Sequence, residues 1–304
     1  MPLNSIVLVK QVPDTANITA EAMKSDGTVN RAALPAIFNP EDLNALETAL
    51  EARDRFGGTV TALTMGPPKA AAVLRACLFR GADRAILLTD RRAAASDTLA
   101  TSYILAQAVK TVGNYDLVLA GRQAIDGDTA QVGPQCAEKL GIPQITYLEE
   151  LVDVRDGAIR VRRNVGHGWE IVEGRLPVLV TVIETANHPR PEAARRVPRF
   201  KRARTMAELL DDVKGELPDA SEEQLESAAA RRAAELEQQG LLIEQWDLDR
   251  IGADVNRCGL SGSPTKVFRI QSIVLTKEGY TELPPTEEGV HQLTHELVSD
   301  RSLG

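Results

Sequence analysis

The sequence predicts an α/β protein built on a doubly wound parallel sheet, with an antiparallel ribbon and an extended C-terminal arm. Three observations predict it. Short β-branched runs alternate with longer stretches of helical spacing through the first half of the 304-residue chain, the order that lays βα units on a parallel sheet. Residues 116–120 are almost wholly Leu, Val and Ala after the leading Asp116, which is what a strand covered on both faces requires. Each run closes on a glycine or proline signal, as short right-handed connections demand.

The elements follow in order. Residues 6–9, Ile-Val-Leu-Val, form the first strand. Leu43, Leu46, Ala49 and Leu50 recur at helical spacing in residues 41–55, and Gly57-Gly58 ends that helix before a strand over 59–65. Gly66-Pro67-Pro68 opens a helix running to Arg80; a strand at 85–88, a helix at 97–112 and the 116–120 strand complete the repeat. After Pro143 the apolar runs flank Asp156-Gly157 and Gly166-His167-Gly168, which suits two short antiparallel ribbons. Residues 177–183 are the last strong strand. Residues 195–204 hold six basic residues in ten and read as a loop or tail, whereas the acid- and alanine-rich residues 208–237 read as a solvent-facing helix. From Leu241 a strand-poor segment leads to Gly304.

Composition excludes several classes. No run of about 18 apolar residues and no basic-then-apolar leader is present, so neither a membrane span nor a secretory signal is expected and the location expected is cytoplasmic. Cys77, Cys136 and Cys258 lie far apart, against a zinc site, an Fe–S cluster or a disulfide framework. Any redox chemistry must then come from a bound cofactor. A net charge of −8 and only 4% aromatic residues argue against nucleic-acid binding. His291 and His295 have the i, i+4 spacing of a metal pair but read as a solvated helix face, so no metal is expected, and no protein nucleophile stands out.

The most informative stretch is residues 116–134, a buried strand running into a glycine- and acid-rich loop that opens a helix. At the carboxyl edge of a parallel sheet such a loop offers backbone N–H groups and a positive dipole end to a phosphate or pyrophosphate. Gly127 and Gly133 let backbone approach a ligand, and Thr129 and Gln131 supply polar contacts. Asp126 and Asp128 have the wrong sign for phosphate; they suit ribose hydroxyls or a helix cap. Asp128-Thr129 as an ordinary cap is the competing reading. The loop is neither a Walker A loop nor GxGxxG, which disfavours phosphoryl transfer.

Taken together, several motifs resemble the β subunit of electron transfer flavoproteins over nearly the whole chain. They are residues 6–12 (Ile-Val-Leu-Val-Lys-Gln-Val), Asn39-Pro40, Gly81-Ala82-Asp83-Arg84, residues 121–134, residues 161–190, and Gly259-Leu260-Ser261-Gly262-Ser263-Pro264-Thr265. The resemblance implies an adenine-nucleotide-binding α/β fold paired with an α subunit whose mobile domain carries FAD. It also implies a second nucleotide in this chain: AMP in housekeeping members, a second FAD that accepts hydride from NADH in electron-bifurcating members. Carried over, that site falls on Leu8 and Val9, on Asn39, Pro40, Glu41 and Asp42, and on Met65. It continues through Gln123, Ala124, Ile125, Asp126, Gly127, Asp128, Thr129, Ala130, Gln131, Val132, Gly133 and Pro134. The Asp126–Pro134 wording resembles the bifurcating or anaerobic-type subgroup and points to FAD, with AMP as the alternative and an isoalloxazine near residues 9–13 and Phe38. An ATP-binding stress or signalling protein would share the sheet, but its glycine-rich ATP loop is missing and residues 189–204 and 259–265 would be surplus to it.

The family's partner-recognition segment departs from its usual form, reading Pro189-Arg190-Pro191 and then Glu192-Ala193-Ala194. Ala194 is a weak apolar anchor, so a dehydrogenase or oxidoreductase partner is expected to be guided by charge through Arg190, Arg195, Arg196, Arg199 and Lys201. The resulting division is a nucleotide-binding domain over 1–190, a basic recognition segment over 191–206, an acidic helical insertion over 207–240 and a C-terminal arm over 241–304 packing on the α subunit.

Overall fold

The computed structural model describes residues 2–14, 34–265 and 282–299; residues 266–281 and 300–304 of the expected C-terminal arm lie outside them. The chain divides into two compact units, Met1–Val267 and Phe268–Gly304. The expected boundaries at 190, 206 and 240 therefore fall inside one unit.

The first unit begins with β1 (Leu3–Leu8), the small antiparallel pair β2 (Gln11–Pro13) and β3 (Ala36–Phe38), and α1 (Pro40–Phe56). The alternation continues with β4 (Gly58–Met65), α2 (Ala71–Arg80), β5 (Arg84–Leu88), α3 (Thr98–Val112), β6 (Leu117–Gly121) and α4 (Val132–Leu140). Every helix and strand expected up to residue 120 is present, with ends shifted by up to three residues and Pro68–Ala70 forming a separate 3₁₀ turn ahead of α2. Then come β7 (Gln144–Arg155), β8 (Ala158–Asn164), β9 (Trp169–Arg175) and β10 (Val178–Val182). The unit closes with α5 (Val197–Phe200), α6 (Met206–Glu216), α7 (Glu222–Gln238) and β11 (Glu244–Trp246).

Nine strands form one sheet in the order β11-β5-β4-β1-β6-β10-β7-β8-β9. It is parallel from β11 to β7, and only β8 and β9 run antiparallel. Alternation of side chains sends Leu3 and Val7 of β1 to one face, with Leu46, Leu50 and Leu74 of α1 and α2. Ile6 and Leu8 go to the other, with Ile104 and Val109 of α3 and Cys136 of α4. Helices on both faces make the sheet doubly wound. Because β1 pairs in parallel with β4 on one side and β6 on the other, the order in which strands are added reverses beside β1, and a crevice opens past the carboxyl ends of β1 and β6.

Three expectations are corrected. The antiparallel strands are one meander that continues the main sheet, because β7 pairs in parallel with β10 before turning into β8. Residues 208–237 are two helices joined at Pro218, each opened by a capping box, Thr205 with Glu208 and Ser221 with Gln224. They bury Leu209, Val213, Ala229 and Ala233 in a small core of their own. The stretch after Leu241 supplies the edge strand β11 and sends Trp246, Leu248, Ile251 and Cys258 into the main core. Within the described part of the expected arm, β11 thus adds an edge strand to this chain's own sheet.

In the second unit, α8 (Glu287–Ser299) carries His291 and His295 one turn apart, both exposed. Among the described residues, no group of three His, Cys, Asp or Glu side chains gathers to hold a metal, and no helix is long and apolar enough to cross a membrane.

Candidate functional site

A cavity of about 410 Å³ occupies the crevice at the carboxyl ends of β1, β4 and β6, within the size range of small-molecule sites. Its apolar floor includes Leu8, Val9, Leu63, Met65 and Leu105, and its polar rim comes from the loop between β6 and α4. Of the residues expected to hold a nucleotide, Leu8, Val9, Asp42, Met65, Gln123, Ala124, Asp126, Gly127, Thr129, Ala130, Gln131, Val132 and Gly133 line it. Asn39, Pro40, Glu41, Ile125, Asp128 and Pro134 do not.

What Asn39, Glu41 and Ile125 do is visible in their hydrogen bonds. Asn39 flanks α1 without capping it through its side chain, and Pro40 takes the first helical turn, where a missing N–H costs nothing. The side chains of Asn39, Glu41 and Asp42 reach the β6–α4 loop instead. Gly121 N–H donates to Asp42 Oδ1 at 2.9 Å, Gln123 N–H to Glu41 Oε2 at 2.9 Å, and Ile125 N–H to Asn39 Oδ1 at 3.1 Å. Asn39 Nδ2 returns a bond to the Gln123 carbonyl at 2.9 Å. Every second amide of an extended segment is thus held from the first turn of α1. Gly121 is required there, because a Cβ would lie 2.6 Å from Asp42 Oδ1.

Asp42 is buried and also accepts from Lys10 N–H at 2.9 Å. Burial pushes its carboxyl up to about 7, against the lowering effect of the Gly121, Asn39 and Lys10 contacts. Glu41, also buried, is neutralised by Arg122 at 2.9 Å.

The competing cap reading of Asp128-Thr129 is not what the chain does. The residue before α4 is Gln131, with no side-chain cap bond. Asp128 accepts from Gln123 Nε2 at 3.0 Å, and Asp126 pairs with Lys10 Nζ at 2.7 Å. Asp128 and Ala130 both take positive φ, 49° and 52°, a strained conformation for residues with a Cβ. Among the described residues, the N–H groups of Val132 and Gly133 at the start of α4 have no partner within the chain. An uncapped helix N-terminus therefore opens on the cavity rim, and it attracts anions.

The two loop glycines differ. A Cβ on Gly127 would meet open space, whereas one on Gly133 would strike Thr181 Cγ2 at 2.8 Å. Gly133 serves the packing of α4 against β10, not only ligand approach.

The wall formed by Ala93, Ala95, Ser96, Asp97, Thr98 and Thr101 was missed from the sequence, although it lines the cavity, as does Lys10 within the 9–13 stretch expected beside the isoalloxazine. The available signal was Asp97 at a helix start, in the connection that leaves the carboxyl end of the buried strand β5. Asp97 caps α3, accepting from Ala100 N–H at 3.0 Å. Burial opposes its ionisation, but bonds from Ala100 and Thr265 hold the carboxyl below its ordinary range. Thr98 Oγ1 donates to Gln131 Oε1 at 2.8 Å, joining this wall to the α4 rim.

The basic segment is no free tail. Phe200 and Ala203 are buried, and the segment is fastened by Arg204 N–H to the Leu241 carbonyl at 3.1 Å. Arg190 is turned inward, with Nε bonded to Glu47 and Nη1 to Asp54, each at 2.9 Å. Arg196 is likewise turned inward, donating to the carbonyls of Leu78 and Ala82 at 2.6 Å each. Ala194, Arg195, Arg199 and Lys201 are exposed. The cysteines Cys77, Cys136 and Cys258 are free thiols in the core, and burial pushes Cys136 up to about 12.

Residues 26–205 match the electron transfer flavoprotein domain. An electron transfer flavoprotein subunit beta of Clostridium acetobutylicum is 39% identical over 298 residues, covering 98% of this chain and 99% of that protein. Protein FixA of Sinorhizobium fredii is 40% identical over 304 residues, 98% of this chain and 93% of the relative. Subunit CarD of the caffeyl-CoA reductase-Etf complex of Acetobacterium woodii is 38% identical, covering 97% and 93%. With its doubly wound sheet and a cavity at the switch point, the chain belongs to the electron transfer flavoprotein beta-subunit family.

Proposed function

We propose that this electron-transfer subunit binds FAD in the β1–β6 crevice. It would pair with an α subunit that carries a second flavin, and pass electrons from NADH or a dehydrogenase toward acceptors, in the bifurcating mode. The observation that carries the nucleotide reading is the uncapped N-terminus of α4 beside two positive-φ residues, with both nearby aspartates already engaged. That donor set fits a diphosphate, and the apolar floor of Leu8, Leu63, Met65 and Leu105 fits a ring system.

When bound, FAD supplies the two-electron and one-electron chemistry. The chain's own residues do the rest. Val132 and Gly133 N–H groups face the rim where negative charge is accepted, and Thr129 and Gln131 add polar contacts. Asn39, Glu41 and Asp42 fix the main chain that shapes the pocket, and the apolar floor excludes water. Redox partners fit the exposed Arg195, Arg199 and Lys201, which suit an acidic docking surface. Bifurcation is supported by the resemblance of the 126–134 loop to that subgroup.

The test is a count of nucleotides extracted from the purified heterodimer. Two FAD per heterodimer is the expected result; one FAD with one AMP would establish the housekeeping form instead.

A further inference from the structure

The cavity wall that precedes α3 is gripped from behind by residues 259–265, which do not line the cavity. Thr265 Oγ1 donates to Asp97 Oδ2 at 2.7 Å and Thr265 N–H donates to the same oxygen at 3.1 Å. Asp97 N–H donates to the Oγ of Ser263 at 2.8 Å, and that buried hydroxyl donates onward to the Gly259 carbonyl at 2.7 Å. Gly259 N–H donates to Ser96 Oγ at 3.0 Å, and Ser96 Oγ donates to the Ala93 carbonyl at 2.8 Å. Ser96 and Asp97, both in the wall, are therefore held at four points from one segment.

Two independent features show how close this contact is. A Cβ on Gly259, whose φ is +59°, would lie 2.2 Å from the Arg92 carbonyl oxygen, so the two main chains touch. Ala95, in the wall itself, holds a φ of 60°. A non-glycine residue keeps that conformation only where its surroundings over-determine it, and the 259–265 clamp supplies such a constraint. The other Asp97 oxygen caps α3 through Ala100 N–H, so one carboxylate fixes both the helix start and its tether.

We infer that Ser263 and Thr265 are positioning residues for the nucleotide cavity: they hold Asp97 and Ser96, and thereby set how tightly the site grips its ligand without touching it. The inference rests on the proposed nucleotide site.

The test uses the α/β heterodimer stripped of its nucleotides and titrated separately with FAD and with AMP. In Thr265→Val the second-site dissociation constant is expected to rise about three- to tenfold, the effect of one lost hydrogen bond. Thr265→Ser keeps the hydroxyl and is expected to restore wild-type affinity; Ser263→Ala should behave as the valine variant does. Amide exchange at residues 95–100 should accelerate in the weakened variants while the rest of the sheet is unchanged. Wild-type affinity in a folded Thr265→Val, or equal loss in Val and Ser variants, overturns the positioning role alone. A wild-type heterodimer that takes neither nucleotide at this cavity overturns both the role and the site on which it rests.

Discussion

Asn39, Glu41 and Asp42 sit at the start of α1, yet their side chains serve the β6–α4 loop by holding the amides of Gly121, Gln123 and Ile125. Asp42 carries the most consequence, because its carboxyl is pushed up to about 7 from an ordinary 3.8. A folded value above the unfolded one means that this group favours folding below about pH 4. That contribution is lost as pH rises toward and through 7. Carboxyl NMR of the nucleotide-free heterodimer should show one aspartate titrating near neutrality that disappears in Asp42→Asn. The loop glycines give a second prediction at this scale. Gly133→Val, driven into Thr181, should destabilise the fold by about 1–3 kcal/mol in chemical denaturation. Gly127→Val should leave stability nearly unchanged and weaken nucleotide retention. The sequence placed both glycines in the stretch that follows β6, but it could not separate a residue facing open space from one pressed on β10, since that depends on a strand 48 residues away in sequence.

Among the elements, the alternation up to residue 120 was legible because each strand is buried by periodicity the sequence displays. The acidic insertion was misread for a physical reason. Its charge dominates, with ten acids against three bases over residues 206–240, while the spacing of Leu209 and Val213, and of Leu225, Ala229 and Ala233, marks apolar faces only once Pro218 is taken as the turn between two helices. Those faces close on each other, and Arg204 meets Leu241 and Ile243 at the base through backbone bonds of 3.1 and 2.8 Å. The pair is thus a nearly self-sufficient outgrowth. Replacing residues 206–240 by a short Gly/Ser linker should leave a folded sheet and unchanged nucleotide content, read by circular dichroism and cofactor extraction. Loss of the sheet in that variant would show that the Arg75–Glu208 ion pair and the Ala207–Gln245 bond matter more than the separate core suggests.

Over the whole molecule, charge is distributed unevenly: the hairpin carries most of the net −8, next to a basic segment anchored on its apolar side by Phe200. Within that segment the arginines divide by direction. Arg195→Glu with Lys201→Glu should slow association with an acidic redox partner and flatten its salt dependence, measured by stopped-flow, with the melting temperature unchanged. Arg196→Ala should do the opposite, lowering stability because the carbonyls of Leu78 and Ala82 lose their donor. By itself the sequence determined the doubly wound sheet, the loop at the carboxyl edge of β6 and the family, since periodicity, turn chemistry and motif wording are local and written in consecutive residues. Only the tertiary structure decided that β11 completes the sheet edge, that the wall before α3 joins the cavity, and which arginines turn outward. Those outcomes depend on contacts between segments up to about 170 residues apart, such as Asp97 with Thr265. Burial, hydrogen-bond satisfaction and strain are properties of such pairs and have no local signature in the chain.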